Sequence, residues 1–323
     1  MNAPLPRRHF IKTSLAFSTL AATGSWSALA APAPAPGVRL GGPTFIRTDD
    51  PEELAKECRR LGYGAAYCPN IKITDTDRIR ATTAAFAKHD VVIAEVGRWV
   101  NLMDANPEQR KKNLELVTEG LALAEAVGAR CCVDIAGSFN PKVWYGPHPD
   151  NLSERFLEAA VENARKIIDA VKPTRAKFCY EMMGWSLPDS VESNLRLLKA
   201  VDRPAFGVHL DPCNLINSPE RFYRNTALLH ECFDKLGPHI ASCHAKDLFW
   251  EVEMNVHFRE VIPGKGALDY TTFLQRLAAL PQQPPLMMEH LNKAEEYAEA
   301  ARYIKEVGAQ AGIPFLPRTS PPQ

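Results

Sequence analysis

Charge of a single sign is missing from this chain: 38 Lys and Arg are matched by 38 Asp and Glu. Binding to nucleic acid needs a concentrated basic face, so DNA and RNA are not expected partners. A long apolar run is missing as well. The one mildly apolar stretch, within the first thirty residues, is too short and too rich in Ser and Thr for a membrane anchor. No membrane span is therefore expected in the mature protein. The eight cysteines contain no C-x-x-C pair, which removes the common thiolate zinc motifs. Cys131 and Cys132 are adjacent, while Cys68, Cys179 and Cys243 lie in strand-like runs. Buried free thiols are expected rather than a disulfide framework. Finally, no G-x-G-x-x-G follows the first apolar run, which argues against an open dinucleotide-binding sheet.

What is present begins with a separable N-terminus. Arg7 and Arg8 precede Phe10, Lys12, the mildly apolar run and a small-residue "ALA" ending at Ala30. That layout is a Tat-type signal over residues 1–30 with an A-x-A cleavage site. It implies export to the periplasm of a protein already folded, with any cofactor acquired beforehand. "APAPAP" at 31–36 reads as a stiff Pro-rich spacer. Residues 37–316 are expected to form one large domain, followed by a short flexible tail at 317–323.

That domain repeats one pattern, a short apolar run, a loop and an amphipathic helix. The apolar runs lie at 37–42, 64–68, 91–97, 130–137, 176–183, 205–211, 240–247 and 285–291. Between them stand helical patterns such as 50–62, 106–128 and 151–171, several preceded by Asp or Asn as N-cap. Strands alternating with helices at roughly 30-residue spacing require parallel pairing through right-handed crossovers. Eight such units close into a (β/α)8 TIM barrel of the α/β class.

In such a barrel the chemistry sits at the carboxyl ends of the strands. The fifth run ends in Glu181, the sixth in Asp211, the seventh in His244 and the eighth in Glu289. Four successive strands thus deliver one metal-ligand-type residue each, with a long loop at 249–268 stretching the last interval. Two Glu, one Asp and one His suit one divalent ion (Mn²⁺, Co²⁺, Mg²⁺ or Zn²⁺, with Mn²⁺ favoured) and leave room for substrate oxygens.

The segments "YEMMGW", "GVHLDPCNLI", "SCHAKDL", "IPGKGALDY" and "LMMEHL" together resemble the xylose-isomerase-like TIM-barrel superfamily, in its sugar phosphate isomerase/epimerase group. The resemblance covers nearly the whole mature chain. It implies that Glu181, Asp211, His244 and Glu289 match the metal site, and that Glu181 and Glu289 match the carboxylates flanking the reacting carbon. Ketose 3-epimerases of the superfamily carry a His three residues after the Asp ligand and an Arg six after the His ligand. Asn214 and Trp250 stand there instead, which separates this chain from a plain ketose epimerase.

Other residues near the strand ends take supporting roles in this reading. Lys246, two after His244, shares the inward face if the strand persists and is a candidate acid/base or polarising group. Asp247 is grouped with it. His209 is expected one layer deeper, orienting the Asp211 carboxylate. Cys213 is expected to be a packed thiol, and His290 to face the helices. Trp144, Tyr145 and His148 follow strand four, Trp185 follows strand five, and Arg98, Trp99 and Asn101 follow strand three. Of these, Trp144, His148 and Trp185 are candidates to grip a sugar ring, alongside Asn214.

The chemistry follows from the residue types. A metal chelated by a carbonyl and a neighbouring hydroxyl stabilises an enediolate, while a carboxylate on each side removes and returns the α-proton. Export, and the lack of a phosphate cradle or Arg cluster, point to an unphosphorylated sugar or keto-sugar. "PGKG" at 263–266 is too short for a Walker loop and reads as the turn before helix seven. An isomerase or epimerase is the first reading. A lyase or dehydratase acting on keto-glycosides or inosose-like cyclitols is the second, and a non-catalytic sugar-binding barrel the third. An endonuclease would need a His-rich cluster of zinc ions, and the strand-end set holds one His ligand. Nothing in the sequence decides between a monomer and a homo-oligomer.

Overall fold

Short apolar strands that must pair in parallel can leave no edge only by closing on themselves. A computed structural model describes residues 37–317 and shows that closure. In chain order the elements are β1 (Leu40–Gly41), α1 (Pro51–Arg60), β2 (Ala65–Tyr67), α2 (Thr76–Lys88), β3 (Val92–Gly97), α3 (Pro107–Val127) and β4 (Cys131–Asp134). They continue with α4 (Glu154–Val171), β5 (Lys177–Glu181), α5 (Val191–Val201), β6 (Phe206–Leu210), two short helices, α6 (Pro212–Leu215) and α7 (Pro219–Tyr223), and α8 (Asn225–Leu236). The last are β7 (Ile240–Ala245), β8 (Asp247–Glu251), β9 (His257–Val261), α9 (Tyr270–Ala278), β10 (Leu286–Met288) and α10 (Ala294–Gln310). Eight strands form a closed parallel barrel in the order β1-β10-β7-β6-β5-β4-β3-β2, with β8 and β9 as a separate two-stranded sheet. The Tat-type signal, the spacer and the tail beyond Pro317 lie outside the described residues.

The helices start and stop where their ends can be satisfied. Asp50 caps α1 ahead of Pro51, and Asn106 caps α3 by accepting from the Glu108 and Gln109 N–H groups. Gly128 ends α3 at φ 74°, a left-handed position that suits glycine. The pattern at 151–171 starts later than its sequence suggests. Asn151 accepts from the Phe139 N–H and donates to Ser138 Oγ, so Ser153 caps α4 instead.

Alternate strand residues point outward against the helices and carry most of the core. Tyr180 meets Phe178 and Phe206 edge to face there, and Phe178 is tilted on Phe206, with ring centroids 5.0 to 6.3 Å apart. Each such side chain contributes about 1.5–3 kcal/mol through burial. The inward residues near the floor are small: Ala65, Ala94, Cys131, Cys179 and Ala241, with Met287 and Val133 filling the space. A Cβ on Gly41 would lie 2.5 Å from the Ala65 carbonyl oxygen, so the inward position of the first strand has no room for a side chain. All eight cysteines are free, seven buried and Cys68 half-buried. No helix among the described residues is long and apolar enough to cross a membrane.

Three departures from simple alternation shape the carboxyl face. Register shifts by one residue between β2 and β3, where Ala66 pairs with Ile93 but Tyr67 pairs with Glu95. A similar slip between β6 and β7 pairs Val208 with Ile240 and His209 with Ser242. Each inserts one residue and re-aims those that follow. The third departure is the stretch expected to be a loop at 249–268. It contains the antiparallel hairpin β8–β9, paired from Asp247↔Val261 to Glu251↔His257. Trp250 and Phe258 pack on Phe222 from one side of the hairpin, with Phe258 stacked on Phe222 at 5.1 Å. That apolar stripe is what makes a hairpin of the segment; the turn itself contains no glycine to advertise it.

Candidate active site

Each of the four sequence-derived ligand candidates reaches the carboxyl face from its own strand. Glu181 is the last residue of β5, on the inward face with Cys179. Asp211 follows β6 and is the N-cap of α6, so one oxygen, Oδ1, accepts the Asn214 N–H at 3.2 Å. His244 lies within β7, and Glu289 comes one residue after β10. Their donor atoms all lie within 4.8 Å of one another. His244 Nδ1 is 2.7 Å from Glu289 Oε1, 3.1 Å from Glu181 Oε1 and 3.6 Å from Asp211 Oδ2.

This arrangement fits a divalent cation on two grounds. Asp211 Oδ2 and Glu289 Oε1 are buried, yet neither has a hydrogen bond of acceptable geometry. Three carboxylates and one imidazole also make a hard-to-borderline donor set without thiolate. The electrostatics agree. Burial alone would raise the Glu289 carboxyl, but His244 and Lys246 outweigh it and bring the pKa down to about 2. Asp211 is likewise held below the usual carboxylate range, burial being outweighed by Lys246 and His244. Both are anions at neutral pH.

Lys246 is not a solvated loop residue. Although β7 ends at Ala245, the side chain is buried, and Nζ lies 2.7 Å from Glu289 Oε1 and 2.9 Å from Asp211 Oδ2. It also donates to Asn214 Oδ1 at 3.2 Å and to Glu260 Oε1 at 3.4 Å. Burial would lower its pKa, but Asp211, Glu289 and Glu181 raise it above the ordinary value. Lys246 is therefore an ammonium, suited to donate or polarise rather than to abstract a proton.

Glu181 is held at both oxygens. Trp99 Nε1 donates to Oε2 at 2.7 Å and Asn214 Nδ2 donates to Oε1 at 3.1 Å. The indole folds back toward the barrel axis, and a Cβ on Gly97 would lie 1.8 Å from its ring. The Trp99 and His244 rings are 6.3 Å apart and inclined by 29°.

A second polar layer lies below, and its centre escaped the sequence reading. Glu95 of β3 is buried and accepts from His209 Nε2 and Ser242 Oγ at 3.0 Å each, and from His244 Nε2 at 3.1 Å. His209 thus supports a carboxylate, but that of Glu95 and not Asp211. The register slips explain this, because the extra residues Ala94 and Ala241 turn Glu95 and Ser242 into the interior layer that His209 reaches by plain alternation. The available signal was a lone Glu inside the apolar run "VVIAEVG".

Several other candidates are engaged elsewhere. Asp247 accepts from the backbone N–H groups of Leu248, Gly264, Gly266 and Leu268 at 2.9 to 3.0 Å, so it ties down the hairpin base instead of facing substrate. Burial outweighs those four donors and leaves its carboxyl above the ordinary value. His148 Nδ1 accepts from the Asp150 N–H, and the ring sits edge-on to Phe139. Trp144 is exposed and packs on Tyr145, while Trp185 is half-buried. Among the described residues no hydrogen bond, ion pair or ring contact joins Trp144, His148 or Trp185 to the four ligand candidates. Asn101 clamps its own loop through Ser138 and Met103. Cys213 is buried, and burial pushes its thiol well up. His290 does not face the helices. It adopts φ 59°, which breaks the strand alternation and turns the ring to the mouth, 2.9 Å from Glu260 Oε2. A cavity of 410 Å³ opens there, lined by Lys246, Phe249, Arg259, Glu260, Glu289 and His290 among others.

Known proteins share this architecture at low sequence identity. A 3-keto-D-glucoside 4-epimerase from E. coli is 13% identical, with TM-score 0.61, over 83% of this chain and 99% of that one. A xylose isomerase-like TIM barrel protein from Mycobacterium smegmatis, in complex with magnesium, is 17% identical with TM-score 0.59, over 85% and 97%. Endonuclease IV from Thermus thermophilus is also similar, at 17% identity and TM-score 0.62, over 84% and 99%. At these identities the likeness is one of fold. No curated protein matches the chain in sequence. The family model described as xylose isomerase-like TIM barrel matches residues 55–307, and with the closed barrel and its strand-end donors this shows that the chain belongs to that family.

Proposed function

We propose that this protein is an exported, metal-dependent sugar isomerase or epimerase acting on an unphosphorylated sugar or keto-sugar. The observation that carries the reading is the convergence of Glu181, Asp211, His244 and Glu289 around one point, with an ammonium beside them. A divalent ion held by these four would act as a Lewis acid on a substrate carbonyl. The side chains supply the proton chemistry. Glu181 and Glu289 come from β5 and β10, which are separated in the barrel by β6 and β7, so they approach from different directions. One carboxylate takes the proton α to the carbonyl and the other returns it. Trp99 and Asn214 fix the orientation of Glu181. Lys246 remains protonated and offers a hydrogen bond to the oxygen on which charge develops.

The keto-glucoside epimerase neighbour supports a sugar substrate, while the endonuclease neighbour is opposed by the charge balance and the single His in the donor set. A lyase is the second reading, favoured by Lys246 itself. An ammonium at the site can protonate a β-oxygen leaving group after the same first step. Periplasmic location rests on the N-terminal signal pattern alone. The test is solvent exchange in D₂O with free ketoses, keto-glycosides and inososes, using protein reconstituted with Mn²⁺ or Co²⁺. An isomerase gives a deuterated isomer and a lyase gives an unsaturated ketone with a released group. Glu181→Gln and Glu289→Gln are each expected to slow exchange by about 10²–10⁴-fold. Full exchange in metal-free protein, or in both variants, would overturn the proposal; no exchange with any ligand that binds would leave a sugar-binding barrel.

A further inference from the structure

The layer beneath the four ligand candidates takes no part in the proposed proton transfers, yet it contains a buried charge. Glu95 is 1% exposed, and among the described residues its only side-chain partners are His209, Ser242 and His244. Among the described residues no Lys or Arg pairs with it. Burying a carboxylate without good hydrogen bonds is costly, and here three donors converge on its two oxygens. An ionised carboxylate only accepts, so His244 must carry its proton on Nε2. Its Nδ1 then faces the oxygens of Glu181, Asp211 and Glu289, a place that a second proton fills in the metal-free protein and that a cation would take over. His209 also donates from Nε2, and its Nδ1 is buried without a hydrogen-bond partner.

We propose that Glu95 is a positioning residue for the metal site. It locks His244 in the Nε2–H tautomer, aims Nδ1 at the cation and strengthens that nitrogen as a donor, while His209 and Ser242 hold Glu95 in place. The inference rests on the metal reading above and extends it to a residue that touches neither metal nor substrate. Replacing Glu95 with Gln tests it sharply. An amide presents one acceptor and one donor end, so one of the three N–H or O–H donors must meet another donor. If that is His244, its proton is driven to Nδ1, where it blocks ligation.

The experiment measures Co²⁺ affinity by chelator competition, the visible absorption spectrum of bound Co²⁺ and thermal unfolding of the metal-free protein. Glu95→Gln is expected to bind Co²⁺ about 10–100-fold more weakly, with an altered spectrum. Ser242→Ala, which removes a single donor to Glu95, is expected to shift affinity in the same direction by less. If Glu95→Gln does not fold, Ser242→Ala decides, and affinity equal to wild type overturns the inference. A lower melting temperature with unchanged affinity and spectrum means a purely structural residue, and also overturns it. Failure of the wild-type protein to bind Co²⁺ refutes the metal reading itself and takes this inference with it.

Discussion

Replacing Lys246 with Met removes an ammonium and keeps most of the side-chain volume. In the metal-free protein that ammonium lies 2.7 Å from Glu289 Oε1, as close as His244 Nδ1, and 2.9 Å from Asp211 Oδ2. Removing one partner of a buried ion pair costs about 3–5 kcal/mol, because the remaining charge is left uncompensated. For a domain of this size each kcal/mol shifts the melting temperature by about 2–4 °C. Metal-free Lys246→Met should therefore unfold about 6–20 °C below metal-free wild type. Metal reverses the comparison. The ammonium and a divalent ion compete for the same two oxygens, so the variant should gain more stability from added Mn²⁺ than wild type does. The assay is calorimetric unfolding of both proteins in chelator and across a Mn²⁺ titration. A metal-free melting point within about 2 °C of wild type, or an equal Mn²⁺-induced shift, would refute the idea that Lys246 stands in for a cation.

Two further outcomes follow from the same geometry. Asp247→Ala leaves four backbone N–H groups at the hairpin base without their acceptor; it should open β8–β9 to limited proteolysis near residues 252–256 while the barrel core stays resistant, and an unchanged digestion pattern would contradict the clamp. Stability of the metal-free protein should also depend on pH at both ends. Glu289 has a folded pKa of about 2 against an ordinary 4.5, so its contribution is complete above 4.5 and is lost as pH falls toward 2. His244 is raised above 6.5 despite burial, because Glu289, Glu181 and Glu95 surround it, so its contribution is present below 6.5 and is lost as pH rises through the elevated value. Chemical denaturation across pH checks both limbs, and stability that rises on acidification below 4 would be the wrong sign.

The sequence showed the barrel well because burial imposes a period that composition cannot hide. Eight apolar runs correspond to eight strands, each shorter than its run by a residue or more, as at 130–137 against Cys131–Asp134. The four ligand-type residues were legible for the same reason, since the strand ends define where the chemistry faces. What stayed hidden depends on local breaks in regularity. Counting by twos from Ile93 turns Glu95 toward the helices, and only the slip against β2 turns it inward. His290 reads as helix-facing until its positive φ is known. The hairpin at 247–261 and Glu260 on it looked like loop, because the aromatic partners that stabilise it, Phe222 and Tyr223, lie about thirty residues earlier in the chain. Asp247 reads as a site residue from its place beside His244 and Lys246, but its acceptors are committed to backbone that sequence neighbours do not reveal.

Asp211 divides its two oxygens between folding and chemistry. Oδ1 closes the first turn of α6 while Oδ2 looks into the cluster of ligands. A carboxylate with one oxygen fixed by backbone has little torsional freedom left for the other, so much of the entropy of assembling the site is lost when the turn forms and not when a ligand arrives. The turn also carries Asn214, which reaches Glu181 on the neighbouring strand. Disturbing the four residues of α6 (Pro212–Leu215) would therefore misalign two of the donors at once, even though none of the four is itself in the donor set.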